Sequence, residues 1–274
     1  MNGNSPFGTF EPRGFARRAL RCTRRMPRTW LGQRTAYLLR TLAIRTLKGQ
    51  PLDVETFGIK MRLFPYNNMC EKRMLFTPQN FDSTELGILD DYITDNFRFI
   101  DVGANVGGYA LYAAARANSS ARILAIEPQP EIFDRLVYNI AQNPFGTVKA
   151  VACAVADKLG ELTLFLDPIN RGGSSLKIVG SSQAETIRVP AMPLMGLVAD
   201  EGFSHIDAMK IDAEGSEDII LGPFFRDAPE NLHPKLLIIE DSHTLWQFDV
   251  PSLLEEKGYR LIIRTKLNLV YSKL

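Results

Sequence analysis

The chain is poor in the residues that staple or anchor a fold. Of its 274 residues only three are cysteine (Cys22, Cys70 and Cys153), and they are scattered without paired spacing. This argues against a disulfide framework and a thiolate metal site, and points to reduced thiols in a cytosolic setting. No apolar run reaches the roughly 18 residues that a membrane-spanning helix needs. The N-terminus lacks the uninterrupted apolar core of a secretory signal. Repeats and low-complexity tracts are absent. Acids are also missing locally: Arg13 to Arg28 holds seven arginines and no Asp or Glu.

That local absence belongs to a wider split. Residues 1–80 carry 15 Lys/Arg and 4 Asp/Glu, whereas 81–274 carry 17 and 27, although the whole chain has a net charge of only +1. A basic arm is joined to an acidic body. Residues 1–12, with Gly, Pro and Asn, read as disordered. Arg13–Arg28 repels itself, and Pro27 interrupts any helix there. Trp30–Leu47 can be helical, but Arg34, Arg40 and Arg45 fall on no single face. The arm has three readings: a solvated segment resting on the acidic body, a contact for anionic lipid at a membrane surface, or an organellar targeting segment. Nucleic acid is not expected, because no recognition module accompanies the charge. The location expected is cytoplasmic, with peripheral membrane attachment as the alternative.

Three regions follow: the arm at 1–50, a cap at 51–96 and a main domain at 97–274. In the cap, Val54–Leu63 alternates around Gly58 as a hairpin, Pro65–Asn80 is turn-rich, and Phe81–Asn96 is helical. In the main domain, strands at Arg98–Val102, Ala121–Ile126, Val148–Val155, Ile206–Ile211 and Leu236–Ile239 alternate with helices. Leu162–Leu166 and Thr186–Val189 form an added pair, and two strands close the chain. Strands alternating with helices imply an α/β domain, Rossmann-like, with a mostly parallel sheet.

Ligands of such sheets bind at the carboxyl ends of the strands. The polar residues gather there: Asp101 and Asn105, Glu127, Asp157, Asp212 and Glu214, then Glu240, Asp241 and His243. Any one could merely cap a helix; five consecutive strand ends make one shared pocket the better explanation. The turn Gly103-Ala104-Asn105-Val106-Gly107 follows Asp101 and opens a helix, offering free N–H groups. Glu127 lies 24 residues after Gly103. A carboxylate there can accept both hydroxyls of a ribose, so the ligand contains a nucleoside. A dinucleotide turn wants G-x-G-x-x-G, and Asn105 replaces its middle glycine. Asp101 would repel a pyrophosphate but suits an ammonium. S-adenosylmethionine therefore fits better than a nicotinamide dinucleotide.

These residues carry a family resemblance. Asp101–Gly107, Glu127-Pro128, Ala154–Gly160, the Gly172–Leu176 loop and Lys210-Ile211-Asp212-Ala213-Glu214-Gly215-Ser216-Glu217 resemble the FkbM family of S-adenosylmethionine-dependent methyltransferases, over about Phe97–His243. The resemblance implies a class I methyltransferase fold whose seven-stranded sheet has its last strand antiparallel. It also implies O-methylation, of a hydroxyl on a sugar or a polyketide-like metabolite. The acceptor expected is a small molecule, glycan or glycolipid. The arm lies outside the resemblance. Met192-Pro193-Leu194-Met195 departs from the family's usual leucine–aspartate step.

Methyl transfer to a hydroxyl needs a positioned oxygen and a proton acceptor. The candidates are Asp212, Glu214, Glu240 and His243, with Lys210 as a nearby cation. Ser174 and Ser175 are candidate substrate contacts; Asp101, Gly103, Asn105, Gly107, Glu127 and Asp157 are candidate cofactor contacts. The reading adopted has no metal; its alternative is a divalent cation on Asp212, Glu214 and Glu240. Three competing functions remain: a nicotinamide-dependent oxidoreductase, a non-catalytic protein keeping the fold, and a methyltransferase acting on nitrogen or protein.

Overall fold

A computed structural model describes residues 5–167 and 185–274. Its centre is a seven-stranded sheet built from β3 (Arg98–Val102), β4 (Arg122–Ile126), β5 (Val148–Val151), β9 (Ala208–Ile211), β10 (Leu236–Glu240), β11 (Tyr259–Arg264) and β12 (Asn268–Lys273). The strands lie in the order β11-β12-β10-β9-β3-β4-β5. Only β12 runs against the rest, pairing antiparallel with both β10 and β11. Sheet order and strand direction are those of the class I methyltransferase fold expected above. From β3 the chain runs outward through β4 and β5, then returns to lay β9 on the other side of β3; ligands of such sheets bind at the carboxyl ends of the strands where the order reverses.

Alternation along β3 sorts the two faces. Phe99 joins an apolar cluster with α5 (Gly108–Ala114) and the cap, while Ile100 and Val102 join a second cluster with α8 (Glu217–Asp227). Asp101 shares the face of Phe99 and sits beneath α5, where the Ala110 N–H donates to its Oδ2 at 3.0 Å.

The third strand departs from expectation. Val148–Val155 is not continuous: β5 ends at Val151, and Ala154–Ala156 (β6) joins a separate three-stranded sheet with β7 (Gly160–Leu166) and β8 (Glu185–Pro193). The Met192–Met195 stretch is the end of β8 and the start of α7 (Leu194–Asp200).

The cap also differs. The hairpin is present as β1 (Leu52–Thr56) and β2 (Ile59–Leu63). The turn-rich stretch contains a helix, α3 (Met69–Phe76), because the Asn68 side chain accepts the Glu71 N–H and caps it. The helix expected over Phe81–Asn96 is confined to α4 (Ser83–Asp90).

The arm is ordered against the body. Residues 13–28 do form a helix, α1 (Gly14–Thr23), because the arginines interleave with Ala16, Ala19, Leu20 and Thr23, which turn inward while Arg17, Arg18 and Arg21 stay in water. α2 (Trp30–Thr46) follows. Residues 5–10, read as disordered, are tied by a buried pair: Arg62 donates to Asp53 through Nε at 2.7 Å, and its Nη atoms donate to the carbonyls of Ser5 and Pro6. Asp53 in turn accepts the N–H groups of Gly8 and Phe10.

Candidate active site

The site begins at the turn after β3. Gly103 has φ +73°, and a Cβ there would lie 1.9 Å from the carbonyl oxygen of Asp212. Only glycine lets the turns after β3 and β9 approach so closely. Asn105 holds φ +51°. Its N–H donates to Glu127 Oε2 at 2.9 Å, and the Gln129 N–H donates to Oε1 at 2.9 Å. Glu127 thus pins the turn after β3 to the end of β4, and each of its oxygens keeps capacity for one more donor. Gly107 has φ +94°, and a Cβ there would lie 2.9 Å from Leu136 and 3.1 Å from Leu111.

The turn after β9 is built by Glu217. Its Oε1 accepts from the Ala213 and Gly215 N–H groups and its Oε2 from Trp246 Nε1. That brace holds Glu214 at φ +50°, beside Asp212 and the end of β10. One oxygen each from Asp212, Glu214 and Glu240 lies within 4.8 Å of the others. Such a cluster can share protons, and its spacing could also hold a cation.

Two adjoining lobes meet here. A cavity of about 200 Å³ is lined by Asp101, Lys210, Asp212, Glu214 and Glu240 with the cap residues Asn68, Arg73 and Asp82. A smaller one of about 60 Å³ is apolar at its base, with Ile126, Cys153, Val155 and Leu164, and has Glu127 on its wall. Gly103, Asn105, Asp212 and Glu214 line both. An apolar slot beside a carboxylate suits a nucleoside. The larger lobe suits a cationic group: Asp101 Oδ1 is buried there and lacks a hydrogen-bond partner among the described residues. An orphaned buried carboxylate oxygen is costly unless a donor arrives. The residues present therefore fit the ammonium and ribose of S-adenosylmethionine.

Burial sets the electrostatics. It lifts Asp101 to about 6 and Glu127 to about 7, against nearby donors that pull the other way. Burial, then the charges of Asp212 and Glu240, lifts Glu214 to about 9. Glu240 is also raised, by burial and then by Asp212. For Lys210 burial opposes the charge, but the carboxylates of Asp212 and Asp101 outweigh it and raise its pKa. Its Nζ donates to Asp212 Oδ2 at 2.8 Å.

Two expected residues stand apart. His243 is on an exposed loop, its Nδ1 2.7 Å from Asp241 Oδ1, and it lines neither lobe. The chain turns outward after Glu240, so a residue three positions past the strand faces solvent. Asp157 is exposed on the bend between β6 and β7, because the chain leaves the main sheet after Val151. Ser174 and Ser175 lie outside the described residues. Missed by sequence reasoning were Asn68, Arg73 and Asp82 of the cap, and Cys153 to Val155. Asn68 Nδ2 donates to Asn105 Oδ1 at 2.7 Å. A cap asparagine before a short helix was the one available signal.

A family model described as the methyltransferase FkbM domain matches residues 101–261. Methyltransferase sdnD of Sordaria araneosa is 31% identical over 147 residues, covering 43% of this chain and 56% of that protein. Hexuronic acid methyltransferase AglP of Haloferax volcanii is 29% identical over 170 residues, covering 61% and 65%. The match thus spans less than two thirds of either relative. The solved METTL16 methyltransferase domain aligns at a TM-score of 0.47 and 14% identity, over 85% of this chain and 78% of that one. The matched family is one of methyltransferases and not of nicotinamide-dependent oxidoreductases: the chain belongs to the FkbM methyltransferase family.

Proposed function

We propose that this protein methylates a hydroxyl of a sugar or glycan by in-line displacement, with a carboxylate of the Asp212–Glu214–Glu240 cluster as general base. The observation that carries the reading is the meeting of that cluster with the Asp101–Asn105 turn in one cavity. S-adenosylmethionine, when bound, supplies an electrophilic methyl on a sulfonium. Asp101 and the N–H groups of the turn would hold its methionyl end, Glu127 its ribose, and the apolar slot its adenine. Glu214, raised to about 9 by burial first, keeps its proton near neutral pH and can hydrogen-bond the acceptor. Glu240 is raised towards neutrality and is the better proton acceptor. Lys210 holds Asp212 in place and tempers the negative charge of the cluster.

The acceptor has a route in. A groove of about 520 Å³ adjoins the larger lobe, sharing Met69, Arg73, Asp82 and Leu267 with it. Its wall adds Tyr37, Arg40 and Lys266, an aromatic face with two cations. Those groups suit an acidic sugar, in keeping with the name of the relative from Haloferax volcanii.

The test is transfer of labelled methyl from S-adenosylmethionine to oligosaccharides with and without uronic acids. Glu240→Gln is expected to lower kcat about 100-fold or more. Normal turnover by that variant would remove Glu240 from the role. Turnover is also expected to survive dialysis against EDTA. Loss restored by magnesium would assign the three acids to a cation instead.

A further inference from the structure

We propose that α2 is a docking element that lays its outer face on an anionic lipid surface. The helix is turned against the usual pattern of a globular protein. Its buried positions are Gly32, Ala36 and Ala43, small residues all. Leu39 and Ile44 are half-buried, but four large apolar residues face water: Trp30 is 67% exposed, Leu31 68%, Leu38 58% and Leu42 50%. At roughly 100° per residue, these four share one arc of about 140° with Arg34, Tyr37 and Arg45. A soluble helix places polar residues on that arc.

Charge selects the occupant. From Arg13 to Gln50 the chain has no Asp or Glu. Arg17, Arg18, Arg21 and Arg25 of the neighbouring stretch and Arg34 and Arg45 of α2 are exposed. Among the described residues none of these six forms an ion pair with an acid. A second copy of the chain is a poor cover, because face-to-face arms would set arginine against arginine. An interface of phosphate headgroups over acyl chains meets both needs: leucine and tryptophan enter the acyl boundary while guanidinium groups pair with phosphate. No helix among the described residues is long and apolar enough to cross a membrane, so the attachment lies along the surface.

The experiment is flotation of the full chain with phosphatidylcholine vesicles, with and without phosphatidylglycerol. Partitioning onto the anionic vesicles is expected to be about tenfold stronger or more, and to weaken as salt rises. The variant Leu31→Ser/Leu38→Ser/Leu42→Ser should lose about tenfold or more of that partitioning. It should keep the parent's thermal midpoint, since all three side chains face water. Equal recovery on neutral and anionic vesicles, absence of flotation, or unchanged flotation of the variant would each overturn the proposal. So would a dimer in sedimentation velocity that the same three substitutions dissolve, which would hand the face to a second copy.

Discussion

Glu214 concentrates the electrostatic cost of the site. Its carboxyl is raised to about 9 in the fold, against an ordinary value near 4.5. A raised acid binds its proton more tightly in the folded state. Its contribution to stability therefore falls as pH rises from about 4.5 through about 9. Glu214→Gln removes that dependence. The variant is expected to gain on the parent as pH rises, by about 2 °C or more in thermal midpoint between pH 5.5 and 8.5. Scanning calorimetry at the two values checks this, and an equal difference at both would place the raised pKa elsewhere. Asp101, Glu127 and Asp212 were legible in the sequence, because each lies at or just past the carboxyl end of a strand, and those ends converge. His243 and Asp157 show where that logic stops. Adjacency in sequence does not say which way a loop turns, nor whether a strand stays in its sheet.

At the scale of elements, the alternation of strands and helices was readable because its periodicities differ and each run is long enough to register. The short elements were not. α3 has eight residues and little amphipathic contrast, so its cap at Asn68 was its clearest mark. Yet α3 carries the cap side of the cavity, and with it the contact of Asn68 to the turn after β3. The hairpin β1–β2 has a second task invisible in sequence. Its Asp53–Arg62 pair is buried and collects residues 5–10. Removing one partner strands the other charge. Asp53→Ala is expected to cost about 3–5 kcal/mol in urea unfolding. A loss below about 1 kcal/mol would mean the pair is solvated in solution.

Over the whole molecule, the charge split seen in the sequence becomes a division of labour. The acidic body holds the carboxylates that converge on the two lobes. The basic arm packs on the cap, and α2 lends Tyr37 and Arg40 to the groove beside the cavity. What composition could not reveal was that α2 buries only small residues while Trp30, Leu31, Leu38 and Leu42 face out, since that depends on what the helix packs against. The central claim is that, across two adjoining lobes, donor binding by Asp101 and Glu127 is separate from proton transfer by Glu240. Calorimetric titration of S-adenosylmethionine into the parent, Asp101→Asn, Glu127→Gln and Glu240→Gln tests it most directly. The first two variants are expected to bind about tenfold more weakly or worse, an effect of roughly 1.4 kcal/mol, and Glu240→Gln to bind like the parent. Unchanged affinity in both donor-site variants, or its loss in Glu240→Gln alone, would contradict the account.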